Sequence, residues 1–471
     1  RDIAQAKNKA ERSQRIQWLA EGMLAKHLHP KLEHAPYECE AEQRLYAEFI
    51  CARRTAEAAS LFAHVKGEDG GRYPLTGVGD VNTYALFAET IRQITAPTGR
   101  AGFIVPSGLA TDNSTKDFFG DLISKNSLLS FFEFENEGFF PGAGQGHMLR
   151  FALTTIVGLA QQVTETKYMF QGKRLEHLND PERIFTLRPA DIQRVNPNTL
   201  TCPIFQSRLD AELTKKIYLH TPILIREQKE NQFESNPWGI NFMAMYHMSN
   251  DSHLFKTRQE LSAQGYGLEG DYFVKGAEKY ARLYEAKMIN LYNHRHGDFN
   301  DAQNGERAHI LPTIPIDRLN DSAYRTSPYY WVPLSDVMDR AKPNGGFFIF
   351  RSINNSANAR AFLGSLIPYS GVGNSAVVVQ TTAPKRMETA LWAAFSSIVF
   401  EYLIRQKLGG TNINFFILKQ MPVPTPDQFD DEEIVFVSER VVELSYTAVD
   451  MAPWAESVGF IGAPFEFNPL R

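Results

Sequence analysis

The spacing of apolar residues divides the first part of the chain into helices and one buried strand. Apolar residues recur at helical spacing through residues 1–66 and again through residues 82–94. A short apolar run over residues 101–108 indicates a buried strand, and residues 114–124 return to the helical period. Helix, buried strand and helix in succession are typical of an α/β fold. We therefore expect an α/β domain that follows a layer of amphipathic helices.

Two further β-rich runs close this part of the chain. They span residues 128–136 and 148–158, and the loop between them is rich in Gly. This pattern predicts an antiparallel strand pair, which we expect at the edge of a mixed sheet. Residues 161–230 are polar, interrupted by prolines and without a sustained period, so we expect a linker with a few short elements there.

The hydrophobic pattern changes again from Asn231. Aromatic, Asn and Arg residues become frequent, and short β-like runs occupy residues 329–333, 347–350 and 375–381. A sustained helical period predicts one long helix over residues 387–407. The complete pattern predicts five parts. A helical segment spans residues 1–70, and the remainder of an α/β domain spans residues 71–160. A linker over residues 161–230 leads to an α+β domain over residues 231–426 and a helical extension over residues 427–471.

Composition narrows the class of protein without identifying it. The chain of 471 residues is 43% hydrophobic, carries a formal net charge of -5 and contains three cysteines. An odd number of cysteines without metal-ligand spacing predicts neither a disulfide framework nor a zinc site. No apolar run is long enough for a membrane span, and the charged, Ala-rich first residues lack the apolar centre of a secretory signal. We therefore expect a cytoplasmic protein that does not act at a membrane.

Two loops carry residue types from which a site could be built. The predicted strand over residues 101–108 ends at Pro106, and ligand sites of α/β sheets gather at the carboxyl ends of strands. An ordinary crossover has the same spacing, so spacing alone leaves both interpretations open. The stretch FFPGAGQGHMLRF over residues 139–151 combines Phe with Gly, although its Phe residues could equally belong to a core. Its GAGQG lies between two strands, which argues against a phosphate-binding loop.

The residues around these loops resemble a known family. The stretch NTYALFAE over residues 82–89 and the strand FIVP resemble the motif after the catalytic strand of adenine-N6 DNA methyltransferases of the gamma class. FFPGAGQGHMLRF resembles a later hairpin of that family, in which a Phe stacks against the flipped adenine. The resemblance implies a pocket in which Phe140 stacks on the target base and the wall consists of Asn82, Tyr84, Phe87 and Pro106.

Longer stretches resemble large methylases related to the Eco57I type, which belong to restriction-modification and phage-defence systems. The matching stretches are NPWGINFMAMYHMSNDSHLF (236–255), LYEAKMI, FIFRSI and RQKLGGTNINFFILKQMPVP (405–424). The resemblance implies the later strands of a Rossmann-like methyltransferase sheet followed by an α+β target-recognition domain. It also implies S-adenosylmethionine as the methyl donor, no metal for methyl transfer, and double-stranded DNA as the partner.

Two motifs of that family are missing from the sequence. Neither the Asn-Pro-Pro-aromatic catalytic motif nor the acidic-Gly motif for S-adenosylmethionine occurs in the 471 residues. Asn236-Pro237-Trp238 lacks the second Pro and lies after the strands that it should precede, so we assign no catalytic role to Asn236. Both motifs precede the matched region in the family. We therefore expect an internal fragment of a longer enzyme, inactive in isolation.

The predicted α+β domain offers candidate DNA contacts. Residues 281–299 mix cations with aromatic rings, which suits phosphate groups and base edges. We expect Lys287 and Arg295 to contact phosphates, and Arg351 and Asn358 to read bases, because Arg suits guanine and Asn suits adenine. A solvated polar surface is the alternative for each residue. The candidate set is Lys287, Arg295, Arg351, Asn354, Asn358, Arg360, Arg405, Lys407 and Asn412.

Three functions are compatible with these patterns. The first is a site-specific DNA adenine-N6 methyltransferase of a restriction-modification or phage-defence system, with other proteins of that system as partners. The second is a non-enzymatic DNA-binding specificity module, which would need neither Phe140 nor the preceding sheet. The third is a bifunctional restriction endonuclease-methylase, although the sequence has no convincing nuclease carboxylate-lysine cluster. The motifs favour the first function.

Overall fold

The computed structural model divides the chain into two units. The residues that it describes are 2–6, 9–31, 33–34, 36–66, 71–142, 146–229, 233–300, 310–354, 358–408 and 411–469. The first unit is Arg1–Ile94, and the second is Thr95–Arg471. The first unit is built from helices, whereas the second combines three sheets with helices. The α/β class expected from the sequence is confirmed.

The described part of the first unit contains four helices, and turns and irregular chain connect them. The helices are α1 Lys9–Glu21, α2 Leu24–Leu28, α3 Pro36–His64 and α4 Thr83–Ile94. The carboxylate of Glu42 on α3 accepts hydrogen bonds from the backbone N–H groups of Leu24 and Ala25, at 2.7 Å each, and so caps the start of α2. The helical period predicted over residues 1–66 is confirmed.

The first sheet of the second unit has five strands. They are β1 Arg100–Pro106, β2 Leu128–Asn136, β3 Gly146–Val157, β4 Thr166–Gly172 and β5 Phe185–Leu187, in the order β1-β3-β2-β4-β5. β3 runs antiparallel to β1 and β2, whereas β4 runs parallel to β2. The predicted antiparallel pair of β2 and β3 is confirmed. Its predicted position at the sheet edge is wrong, because β1 pairs with the other side of β3 and β4 with the other side of β2.

The segment predicted as a linker, residues 161–230, is part of this folded unit. It contains β4 and β5, which extend the sheet, and it continues into helices α7 Pro189–Val195 and α8 Arg208–His220. Tyr168 and Phe170 of β4 are fully buried. Two shorter helices, α5 Gly108–Thr111 and α6 Lys116–Ser124, lie between β1 and β2 in sequence. The linker prediction is therefore corrected: the segment completes the sheet that carries the candidate site.

Two more sheets follow in the chain. The six-stranded sheet consists of β7 Lys256–Thr257, β8 Gly267–Glu269, β9 Tyr272–Lys275, β10 Glu278–Tyr284, β11 Tyr330–Pro333 and β14 Gly371–Val372. The four-stranded sheet consists of β6 Asn241–Met243, β12 Gly346–Arg351, β13 Gly364–Pro368 and β15 Ala376–Gln380, in the order β13-β12-β15-β6. In the six-stranded sheet the order is β7-β11-β10-β9-β8, and β14 pairs with β10. The predicted runs are confirmed as β11, β12 and β15.

Helices accompany and follow these sheets. They are α9 Arg258–Ala263, α10 Ile316–Asn320, α11 Leu334–Arg340, α12 Lys385–Ser396, α13 Ile398–Arg405, α14 Phe415–Lys419, α15 Asp431–Ser445 and α16 Ala452–Ser457. The single helix predicted over residues 387–407 is wrong, because Ser397 divides it into α12 and α13. The Ser397 hydroxyl accepts a hydrogen bond from the N–H of Phe400 at 3.1 Å and caps α13.

Within the described ranges, no single helix is long and apolar enough to cross a membrane. Among the described helices, α12 and α13 are long and apolar enough only when they are taken together, and their axes are bent by 52°.

Aromatic packing joins the four-stranded sheet to the helices after it. Phe348 of β12 stacks on Trp392 of α12, with ring centroids 4.3 Å apart, and Phe350 stacks on Phe362 at 5.3 Å. Phe362 also meets Phe400 of α13 edge-on at 5.0 Å. Each buried ring stabilises the fold by about 1.5 to 3 kcal/mol through removal of apolar surface from water. This core holds Phe350 and Phe362, which lie at the two ends of the chain segment that follows β12.

Candidate functional site

Parallel strands of the first sheet end at a common edge. β1 ends at Pro106, β2 at Asn136 and β4 at Gly172. β3 begins at the same edge, and its Phe151 pairs with Pro106. Because ligand sites of α/β proteins gather where parallel strands end, this edge is the candidate site.

Phe139 and Phe140 have different environments in the loop after β2. Phe139 belongs to an apolar cluster, in which its ring lies 5.5 Å from that of Phe134 and 5.4 Å from that of Phe151. Phe140 meets Phe151 edge-on at 4.9 Å and remains 41% exposed. Phe139 therefore anchors the loop, whereas Phe140 offers an aromatic surface to a partner.

The carboxamide of Asn136 holds the backbone of Phe140. Its Oδ1 accepts a hydrogen bond from the Phe140 N–H at 2.8 Å, and its Nδ2 donates to the Phe140 carbonyl at 3.1 Å. Asn136 is 1% exposed and pairs with Gly146, at which β3 begins. Between the two bonded residues, Gly138 adopts a φ of +91°, a conformation that favours Gly. Residues 143–145 of the Gly-rich loop lie outside the described residues.

Charged side chains are buried on the face of the sheet opposite to the Phe cluster. Successive strand residues alternate between faces, so Glu133 and Glu135 point away from the Phe134 side. Glu135 forms ion pairs with Arg150 at 3.7 Å and with Lys173 at 3.6 Å. Burial raises the pKa of the Glu133 carboxyl, and the positive charge of Arg150 offsets that shift only in part. Glu133, Glu135 and Arg150 thus place charge inside β2 and β3, the strands that carry the Phe loop.

The residues predicted to line the pocket are divided between the two units. Asn82 and Phe87 are exposed in the first unit, with Phe87 on α4 at 67%, and Tyr84 of α4 is partly buried. Pro106 is partly buried in the second unit, where it pairs with Phe151 beside Phe140. The structure brings Pro106 and Phe140 to one sheet edge. The contribution of the other three residues to a common pocket stays a prediction.

Several candidate DNA contacts meet around the chain after β12. We call residues 352–354 and 358–362 the β12 loop. Asn354 is buried, and its amide donates to two carbonyls of the same loop at 2.8 and 2.9 Å. Its backbone N–H donates to the carbonyl of Thr411 at 2.9 Å, which brings Asn412 beside the loop. Asn354 therefore shapes the loop from inside.

Arg405 supports the β12 loop from α13. Its guanidinium forms an ion pair with Glu401 at 2.7 Å and donates to the carbonyls of Asn358 and Ala359 at 2.8 Å each. The buried carboxylate of Glu401 also accepts hydrogen bonds from two backbone N–H groups of the loop, at 2.7 and 3.0 Å. Arg405 is partly buried and holds the loop in place.

The exposed residues of this region are fewer than the sequence indicated. Asn358 and Asn412 are exposed, whereas Arg360 is partly buried and donates to the carbonyl of Ser396 at 3.0 Å. The side chain of Asn358 also hydrogen-bonds to that of Asn354. Asn358 and Asn412 are thus the members of the candidate set whose side chains present most surface to a partner.

Arg295 lies inside the protein. It is 0% exposed, although the sequence placed it among the phosphate contacts. Its guanidinium donates hydrogen bonds to the backbone carbonyls of Leu319, Asp321, Tyr324 and Thr447, at 2.7 to 3.2 Å. A cation held by buried carbonyls does not reach a phosphate outside. The predicted DNA contact is therefore corrected to a structural role.

Lys407 is buried in the same way. It is 9% exposed, and its Nζ donates to the carbonyls of Val195 and Gln420, at 2.9 and 3.1 Å, and to the side chain of Asn196. Burial lowers the pKa of Lys407 well below its usual value. These bonds join the turn after α13 to the end of α7, so the predicted DNA contact of Lys407 is likewise corrected to a structural role.

Lys287 and Arg351 are partly buried. The Nζ of Lys287 lies 3.4 Å from the carboxylate of Glu285 and 4.8 Å from the centre of the Phe299 ring. Arg351 donates from Nε to the carbonyl of Ile289 at 3.1 Å. Each side chain therefore has an intramolecular contact that DNA would share or replace. Their roles in phosphate contact and base reading stay predictions.

The described residues do not form a site suited to S-adenosylmethionine. A nucleoside cofactor in an α/β domain is usually held where a Gly-rich turn joins a strand to a helix. The Gly-rich loop of this sheet instead joins antiparallel β2 and β3, and the turn from β1 into α5 contains a single Gly, Gly108. The residues present therefore do not fit the cofactor.

Sequence reasoning missed Asn136, Glu133 and Arg150. Asn136 directly precedes a Gly-containing loop, where an Asn side chain often bonds to nearby backbone, and that position was a usable signal. Glu133 and Arg150 interrupt apolar strands, and a charge within a buried strand needs a partner. Strand register decides which carboxylate pairs with Arg150, which is Glu135, and the sequence pattern did not specify that register.

No protein-family model and no curated protein sequence matches the chain. Among solved structures, it is similar to the type IIG restriction endonuclease BpuSI at 13% identity and a TM-score of 0.30, covering 82% of this chain and 49% of that one. The Type IIL restriction-modification enzyme MmeI in complex with DNA has 9% identity, a TM-score of 0.37 and coverage of 81% and 49%, respectively. The ATP-dependent Type ISP restriction-modification enzyme LlaBIII bound to DNA has 10% identity, a TM-score of 0.34 and coverage of 82% and 28%. The chain thus spans about half the length of the first two and less of the third.

Proposed function

We propose that this chain belongs to an S-adenosylmethionine-dependent DNA adenine-N6 methyltransferase of a restriction-modification or phage-defence system. In this proposal the first sheet supplies one wall of the pocket for the target adenine. The region around the β12 loop contacts double-stranded DNA. Neither role requires a metal ion.

The observation that carries the proposal is the half-exposed ring of Phe140 at the carboxyl edge of the first sheet. The ring is 41% exposed, whereas the neighbouring Phe139 packs into the apolar cluster. The Phe-Pro pair at residues 140 and 141 lies in the stretch that resembles the adenine-stacking hairpin of the gamma-class enzymes. Both the motif and its position therefore support a role for Phe140 in holding a base.

An exposed aromatic ring has a definite use in this chemistry. An enzyme that modifies the exocyclic amine of adenine must take the base out of the duplex, which costs a few kcal/mol. Stacking of a base on an aromatic side chain recovers about 1 to 3 kcal/mol. Phe140 would stabilise the extruded base in this way, and the edge-on contact with Phe151 would hold the orientation of the Phe140 ring.

The proposed recognition of DNA depends on which candidate side chains are exposed. Asn358 and Asn412 are exposed residues, and an Asn side chain can form paired hydrogen bonds with adenine in the major groove. Lys287 and Arg360 are partly buried cations that could reach phosphates with part of their side chains. A specificity module without enzymatic activity would account for these residues, but it would leave the exposed Phe140 without a use.

The cofactor is assigned to a part of the protein other than the described residues. When bound, S-adenosylmethionine supplies the methyl group. The sequence lacks the motif that holds it and the Asn-Pro-Pro-aromatic motif that holds the amine. The residues of this chain therefore act on the base and the duplex only, and methyl transfer requires a unit with both motifs.

Analysis of the reaction product tests the proposal. The full-length protein that contains this chain is incubated with duplex DNA and S-adenosylmethionine carrying a labelled methyl group, and the DNA is digested to nucleosides. We expect label in N6-methyladenine, within one sequence context. The 471-residue chain alone, which lacks both motifs, should transfer no label. Label in a cytosine product, or none with the full-length protein, would contradict the proposal.

A further inference from the structure

We propose that Asn136 is a positioning residue, which fixes Phe140 in the orientation that stacks on the extruded base. This inference rests on the proposed role of Phe140. It assigns to a buried carboxamide a part in the reaction that the sequence motif does not include.

The first argument is the match between the two bonded groups. Asn136 accepts from the N–H of Phe140 and donates to its carbonyl, so one side chain satisfies both main-chain polar groups of one residue. A carboxamide carries the same donor and acceptor as a peptide group. It therefore acts as the strand partner that Phe140 would otherwise lack after the end of β2 at Asn136.

The second argument is which residue the carboxamide holds. Phe139 is fixed by rings on two sides, from Phe134 and Phe151, and needs no further restraint. Phe140 projects beyond that cluster and is 41% exposed, so packing restrains it less. The two hydrogen bonds thus act at the residue whose ring has the greater freedom.

The third argument is the rigidity of Asn136 itself. Asn136 is 1% exposed and is the last residue of β2 to pair with β3, through Gly146. Its backbone belongs to the sheet while its side chain belongs to the loop. Orientation set in advance lowers the entropic cost of reaching a productive geometry, and small misplacements of a reacting group reduce rates strongly.

The test compares three substitutions in the full-length protein. Asn136→Ala removes both hydrogen bonds, Phe140→Ala removes the ring, and Glu137→Ala changes an exposed neighbour as the matched control. Base extrusion is followed by the fluorescence of 2-aminopurine at the target position, together with kcat and the Kd for duplex DNA. We expect Asn136→Ala to lower kcat about tenfold or more and to reduce the fluorescence rise, with Kd within about twofold of wild type. Glu137→Ala should match wild type.

Asn136→Asp provides a readout that a merely structural residue would not affect. The ionised carboxylate still accepts from the Phe140 N–H but repels the Phe140 carbonyl, to which the wild-type amide donates. Protonation gives the carboxyl an O–H that can donate to that carbonyl. We expect kcat of Asn136→Asp relative to wild type to rise as the pH falls from about 8 to 5, because a buried carboxyl gains a proton in this range.

The outcomes separate this inference from the proposed function. If Phe140→Ala is impaired but Asn136→Ala keeps wild-type kcat and fluorescence, the positioning role is overturned and the proposed function stands. If Phe140→Ala itself behaves as wild type, the stacking role fails, and the role of Asn136 fails with it. Should Asn136→Ala not fold, the pH profile of Asn136→Asp decides: a relative kcat that does not change with pH overturns the inference.

Discussion

Arg295 and Lys287 lie in the same basic and aromatic stretch, yet their side chains have different environments. Arg295 is buried against backbone carbonyls, whereas Lys287 is partly exposed beside Phe299. Composition could not distinguish them, because both are cations among aromatic rings and neither has a local signal for burial. Tertiary contacts determine which of the two side chains is buried. The carbonyls that bind Arg295 come from residues 319–324 and from Thr447, which are distant from it in sequence.

A pair of substitutions separates the structural cation from the candidate contact. Arg295→Ala should lower the free energy of unfolding by about 3 kcal/mol or more, because it leaves buried carbonyls without partners. Lys287→Ala should lower the free energy of unfolding by less than Arg295→Ala does, because it removes the contacts of a partly exposed side chain with Glu285 and Phe299. It should also weaken binding to all duplexes and reduce the salt dependence of binding by about one phosphate contact. Urea denaturation and binding titrations at several salt concentrations measure both effects. A Lys287→Ala protein with wild-type salt dependence would remove Lys287 from the DNA-contacting set.

Secondary structure elements were predictable where their periodicity is local. The helices of the first unit and the β2 and β3 pair follow from apolar spacing, and α15 lies within the predicted helical extension. β4 was missed because it has no regular alternation and pairs with β2, a partner separated from it by β3. The division at Ser397 was missed because the apolar period continues across it, although a Ser at that position is a helix-start signal.

Glu133 gives the first sheet a pH dependence that its strand pattern alone would not indicate. Burial raises the pKa of its carboxyl, so the folded state binds this proton more tightly than the unfolded state does. The resulting stabilisation is complete below the unfolded pKa and is lost as the pH rises through the folded pKa. Glu133→Gln should therefore unfold at higher urea concentration than wild type at about pH 8, with the difference shrinking toward about pH 4.5.

Denaturation of both proteins at several pH values checks this expectation. Glu133→Gln keeps a side-chain oxygen for the Gln171 N–H and leaves Glu135 as the partner of Arg150. If the variant is instead less stable at alkaline pH, the ionised Glu133 stabilises Arg150 by more than its burial costs.

For the whole molecule, sequence resemblance indicated which regions hold the candidate site, and folding determined which residues within them are available. The structure brings Pro106 and Phe140 to one sheet edge and joins the β12 loop to Asn412. The resemblance could not indicate that Asn354 and Lys407 turn inward, because a motif records residue types and not their exposure. The fold therefore determines which candidate residues are exposed to DNA, and each of those residues needs its own test.

The most direct measurement for the central claim is base extrusion by the full-length protein with and without the Phe140 ring. 2-Aminopurine is placed in duplex DNA either at the target adenine or at a neighbouring position, and its fluorescence is recorded on binding. We predict a rise only at the target position for wild type. For Phe140→Ala we predict a much smaller rise and about tenfold or more lower turnover, with duplex affinity within about twofold of wild type. An unchanged rise together with unchanged turnover would contradict the account and make Phe140 a packing residue.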